Sequence, residues 1–200
     1  MNEQNFTDLE DDIEVKVETV ATKELLSITM AELFTVAECD EIKNTIVDEL
    51  WMKVKVVGDQ KLHKCLRQKL RGEVAGFPFD PIRAITKEAN EKIFDFNLLG
   101  IIDQDYPQIF RYQSSDYYDW HVELNPLAPT RKLSFIINLS APDEYEGGRI
   151  EFLNTTVTND IFNKKGTILI FPSFLPYKVN PIKSGTLDLI IGHIHGTTFR

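Results

Sequence analysis

The chain has 200 residues, 42% hydrophobic and 26% charged, which is enough for one domain with a buried core. Its 31 acidic against 22 basic residues give a formal net charge of −9, which argues against a phosphate-backbone binder, so no nucleic-acid partner is expected. Two cysteines are too few for a disulfide framework, no apolar run approaches the roughly 18 residues of a membrane span, and the N-terminus lacks the basic-then-apolar order of a secretion signal; a cytoplasmic protein with no membrane association is expected.

Residues 1–24 read as an acidic N-terminal arm, carrying Asp8, Glu10, Asp11, Asp12, Glu14 and Glu18. Within it Ile13, Val15 and Val17 alternate with charged residues, the period of a half-buried strand. Such an arm is either a solvated leader with one edge strand or a strand donated to a partner's sheet. Residues 25–200 are expected to form a single domain.

Thr35, with Glu38 three residues on and Phe34 before it, has the spacing of a capping box and staple. Cys39, Ile42, Ile46 and Leu50 then recur at helical spacing as one apolar face. The stretch 59–71 is basic and shows no strong pattern, and 72–81 reads as a loop. A second helix is predicted from about Pro81 to Asp95, with Ile82, Ile85, Ala89, Ile93 and Phe94 on one side. From Leu98 the period becomes that of strands, at 109–112, 132–139, 149–152, 167–171 and 187–194, with Glu146-Gly147-Gly148 as a turn. Two helices ahead of a strand-rich half predict an α+β, mainly β domain with a double sheet and helices on one face.

Several runs in order, Tyr118-Asp119-Trp120-His121, Arg131-Lys132-Leu133-Ser134, Tyr145-Glu146-Gly147-Gly148, Phe171-Pro172-Ser173-Phe174-Leu175-Pro176 and Ser184-Gly185-Thr186, resemble the iron(II)- and 2-oxoglutarate-dependent oxygenases of the prolyl-hydroxylase type. The likeness spans roughly Leu33 to Gly196. It implies a double-stranded β-helix, or jelly roll, with a site between its two sheets and early helices backing the larger one. It also implies a facial triad of His-x-Asp and a distal His on iron, with a basic residue gripping the far carboxylate of 2-oxoglutarate.

Carried onto this chain, His121 matches the first metal ligand, Glu123 stands in place of the Asp and Tyr177 in place of the distal His. Leu187 stands where the resemblance calls for Arg or Lys, and Tyr112 near a tyrosine that touches the co-substrate. A phenol binds metal only after losing a proton held to about pH 10, whereas an imidazole offers its lone pair at neutral pH. Leucine has no donor for a carboxylate, and Lys183 is badly placed to supply one. The expectation is therefore a non-catalytic member without iron or 2-oxoglutarate, serving as a structural or interaction module with a protein partner, in the cytoplasm or in a virion if phage-derived. Its alternative is an active hydroxylase of a protein or peptide side chain, using Fe(II) and 2-oxoglutarate at His121, Glu123 and Tyr177. A metal-free small-molecule or sugar pocket is a third reading. His193 and His195 are expected to pack or hydrogen-bond, His63 to lie on the surface, and Trp120 and Phe174 to be core or pocket-wall aromatics.

Overall fold

The computed structural model describes residues 18–20, 28–54, 63–72, 75–153 and 162–198. The strand expected at Ile13, Val15 and Val17 lies outside these. In chain order the strands are β1 (Glu18–Val20), β2 (Ile28–Glu32), β3 (Met52–Lys53), β4 (His63–Lys64), β5 (Leu66–Lys69), β6 (Leu98–Gly100), β7 (Gln108–Tyr112) and β8 (Tyr117–His121). They continue as β9 (Arg131–Asn138), β10 (Tyr145–Gly147), β11 (Ile150–Phe152), β12 (Thr167–Pro172), β13 (Tyr177–Val179), β14 (Ile182–Gly185) and β15 (Leu187–Gly196). The helices are α1 (Val36–Asn44) and α2 (Phe79–Ala89), the latter running into a π turn over Asn90–Phe94.

The larger sheet runs β1-β2-β12-β9-β15-β7-β5-β3, with β6 on β15. A smaller sheet runs β11-β13-β8-β4, and β10 pairs with β14. The pairings are antiparallel, and the two sheets face each other in the jelly-roll manner. The larger sheet is covered on both faces, which is why β9, β12 and β15 read as near-continuous apolar runs. Leu133, Phe135, Ile137, Ile168 and Ile190 face a core closed by Cys39 and Ile42 of α1 and Phe79, Ile82 and Ile85 of α2. Ile136, Leu169, Leu187, Leu189 and Ile191 face the other way, toward Ile150, Phe152, Tyr177 and Val179 of the smaller sheet.

Thr35 caps α1 with the full reciprocal pair: its backbone N–H donates to Glu38 Oε2 at 2.7 Å and its Oγ1 accepts from Glu38 N at 3.3 Å. The apolar face expected to reach Leu50 stops short. The helix ends at Asn44, and Leu50 sits in a single 3₁₀ turn, 46% exposed. The stretch 59–71 holds two strands, β4 and β5, rather than patternless chain. His63, expected at the surface and far in sequence from the sheet half, has its backbone paired with Tyr118 at the edge of the smaller sheet.

Candidate functional site between the sheets

β8 and β13 pair with His121 opposite Tyr177, and this register sets the site. Just past β8 the chain bends so that the Glu123 and Leu124 N–H groups both donate to the Ser173 carbonyl, turning the Glu123 side chain inward. His121, Glu123 and Tyr177 therefore meet. The Tyr177 hydroxyl donates to Glu123 Oε1 at 2.7 Å, and His121 Nε2 lies 3.3 Å from the same oxygen. His121 Nδ1, 2.7 Å from the Asp119 carbonyl, must be the donor there, because a carbonyl only accepts. Tyr118 stacks on the imidazole with ring centroids 3.5 Å apart.

Four residues to which the sequence assigned no site role, Arg131, Asp105, His193 and His195, complete the cluster. Arg131, at the start of β9, donates to Glu123 Oε2 at 2.9 Å and makes two bonds to Asp105, at 2.6 and 2.8 Å. His195 Nε2 lies 3.0 Å from Asp105 Oδ2, with Thr130 Oγ1 at its other nitrogen. His193, on the inward face of β15, has Nδ1 at 3.1 Å from Ser134 Oγ and Nε2 at 3.6 Å from Glu123 Oε2. Its spacing from Leu187 and Leu189 on one strand face was the signal available for it.

Burial works against the charge of Glu123, but His193, His121 and Arg131 around it hold its carboxyl well below the usual range. Burial also pushes His193 down to about 4, so near neutral pH its ring is uncharged. The Glu123 anion then rests on Arg131 and on the bond from Tyr177, with His121 Nε2 3.3 Å away. Burial, followed by the Glu123 charge, raises the Tyr177 phenol well above its ordinary value. Tyr177 is thus a protonated donor.

Leu187 pairs across β15 and β7 with Tyr112, and both are buried in the core between the sheets. Leu187 packs so closely on Gly148 that a Cβ there would lie 2.8 Å from Leu187 Cδ2. The Tyr112 hydroxyl, beside the Cys65 thiol, is buried without a hydrogen bond of proper geometry. Lys183 is spent on Glu146, 2.9 Å away at the surface. Trp120 and Phe174, expected in the core or a pocket wall, are instead 39% and 36% exposed. Val122 and Leu127 are exposed as well, and the Lys178 ammonium lies over the Trp120 ring, 5.0 Å from its centroid.

These residues do not fit iron and 2-oxoglutarate at the positions the resemblance implies. The distal position offers a phenol that keeps its proton, and the carboxylate beside it already accepts from Tyr177 and Arg131. Among the described residues no three His, Cys, Asp or Glu side chains are arranged to hold a metal ion. The position for the co-substrate's far carboxylate is filled by apolar packing.

Comparison with known proteins agrees with the architecture. Residues 107–192 match the 2OG-Fe(II) oxygenase superfamily. A PKHD-type hydroxylase of Synechococcus sp. (strain CC9902) is 34% identical over 118 residues, 56% of this chain and 53% of that protein. Another, of Janthinobacterium sp. (strain Marseille), is 25% identical over 80% of this chain and 74% of its own length. The chain thus spans only about half the length of the first of these relatives. Among solved structures, the viral collagen prolyl hydroxylase from Paramecium Bursaria Chlorella virus-1 superposes with a TM-score of 0.61 at 21% identity, covering 85% of this chain and 96% of that one. A prolyl hydroxylase from Trichoplax adhaerens, in complex with a hypoxia inducible factor peptide, gives 0.68 at 13% identity, covering 84% and 83%. Sheet order, site register and these likenesses lead to one assignment: residues 107–192 carry a 2OG-Fe(II) oxygenase domain.

Proposed function

We propose that this domain keeps the oxygenase fold without the oxygenase reaction and serves as a binding module for a protein partner. The observation that carries this is the state of Glu123. Its carboxylate accepts from the Tyr177 hydroxyl on one oxygen and from Arg131 on the other, so the protein itself supplies a positive charge and donors that an ion would otherwise bring. The apolar packing around Leu187 supports the same reading. Trp120, Val122, Leu127 and Phe174 are exposed apolar side chains of the kind a protein partner covers. Anaerobic calorimetric titration with Mn(II) or Fe(II), with and without 2-oxoglutarate, tests it. No saturable metal binding is expected, and joint micromolar binding of metal and 2-oxoglutarate overturns the proposal.

A second reading, an active hydroxylase of a protein or peptide side chain, has support of its own. The relatives are named hydroxylases. Two imidazole nitrogens, His121 Nε2 and His193 Nε2, flank the two oxygens of one buried carboxylate. With Nδ1 of His121 donating to a carbonyl, its Nε2 meets Glu123 favourably only if a second proton or a cation lies between them. In that reading His193, rather than Tyr177, is the third donor, and Glu123 must exchange Arg131 for the ion. The same titration on His193→Leu decides between them: metal binding by the unaltered chain that disappears in this variant establishes the second reading.

A further inference from the structure

At the mouth between the two sheets lies a cavity of about 200 Å³, lined on the larger sheet by Arg67, Gln108, Phe110 and Ile191 and on the other side by Tyr118 and Glu123. Arg67 is registered opposite Phe110 and Gln108 opposite Lys69 on adjacent antiparallel strands, so Arg67 and Gln108 are diagonal neighbours on one face. Among the described residues neither Arg67 Nε nor Gln108 Oε1, both buried, has a hydrogen-bond partner. The other guanidinium of the cavity, Arg131, is spent on Asp105 and Glu123. Among the described residues Arg67 makes no ion pair.

A guanidinium whose Nε is out of water and unbonded is costly unless something beyond the described residues supplies the acceptor. A planar anion with two oxygens fits the fork of Nε and Nη best. Gln108 can turn its amide to present either a donor or an acceptor to the same group. The space equals about seven water volumes, which suits a small acid or a single acidic side chain and excludes a nucleotide.

We propose that this cavity is a carboxylate-binding site read by Arg67. Arg67 lies on a different strand from the buried, apolar Leu187, and the binding needs no metal, although Glu123, Asp105 and His193 line the same cavity.

The test is calorimetric titration of the full chain in EDTA with glutarate and, separately, with a short neutral-ended peptide carrying one internal Glu. Saturable binding is expected, weakened at least about tenfold in Arg67→Gln and partly retained in Arg67→Lys, which keeps the charge but not the fork. Thermal melts showing that both variants remain folded complete the comparison. Binding of glutarate assigns the site to a free acid, and binding of the peptide alone assigns it to an acidic side chain of a partner; either supports the proposal when Arg67→Gln loses it. Absence of binding for both probes at about 10 mM, or equal binding by Arg67→Gln, overturns it. Binding that appears only when Mn(II) replaces EDTA also overturns it, and points instead to the metal-dependent hydroxylase.

Discussion

Tyr177 and Leu187 carry most of the contrast between this site and the one its resemblance implies, and each makes a separate demand on the fold. The Tyr177 hydroxyl is one of the donors that keep Glu123 ionised inside the protein. Tyr177→Phe removes that donor without opening a cavity, so stability should fall by about 1.5–3 kcal/mol in denaturant titrations at neutral pH. The pH sign follows from Glu123. Its carboxyl is held below its unfolded value, so the contribution is present above that value and is lost as pH falls through the folded one. The penalty of Tyr177→Phe should therefore persist to well below pH 4 before it shrinks. Leu187→Arg asks the opposite of the core. It places a charge at a position 1% exposed and packed on Gly148, so a loss of about 3–5 kcal/mol is expected in the same titration. Loss below about 1 kcal/mol would mean that the inter-sheet core can open to an anion after all.

At the scale of elements, α1 shows how far local chemistry alone reaches. Thr35 and Glu38 satisfy each other's backbone donors, and Thr35→Ala should cost about 1 kcal/mol by thermal or denaturant unfolding while leaving the cavity and its ligands untouched. That cap was legible from its spacing, as were α2 and the long apolar strands, because each has a side facing a core. β5 was not. Its Gln68 points to the helix-bearing face and bonds both the N–H and the carbonyl of Val47, while Arg67 lines the cavity on the other face. With polar residues on both faces, a strand offers no period-2 apolar pattern to detect. The site divides along the same line. The places of His121, Glu123 and Tyr177 followed from the resemblance, but the roles of Arg131, Asp105 and His193 depend on β9, the 103–105 turn and β15 converging across long stretches of sequence. Trp120 and Phe174, expected in the core or a pocket wall, are partly exposed: on β8 the alternation that turns His121 inward turns Trp120 outward, and Phe174 sits in the corner after β12.

The whole molecule is two cores on the two faces of one sheet, and its two cysteines sample one each. Cys39 lies under α1 in the helix-side core and Cys65 lies between the sheets beside Tyr112. Burial pushes the Cys39 thiol up to about 11 and the Cys65 thiol up to about 12. Only thiolate reacts with disulfide reagents, so at pH 8 both should be inert in the folded chain and label only through opening. If the cores open together, labelling of the two should fall in step with global stability as denaturant is lowered. Faster labelling of Cys65 alone would show that the smaller sheet lifts from the larger one independently, which is the motion a ligand would need to reach the cavity. Alkali supplies the linked check. A thiol whose folded value is raised contributes its full stability below the unfolded value near 8.5, and that contribution drains away as pH climbs toward the folded value. Stability should thus decline between about pH 9 and 11 by up to about 1.4 kcal/mol per pH unit for each thiol, and Cys39→Ala with Cys65→Ala should flatten that slope. An unchanged slope in the double variant would assign the alkaline loss to other groups.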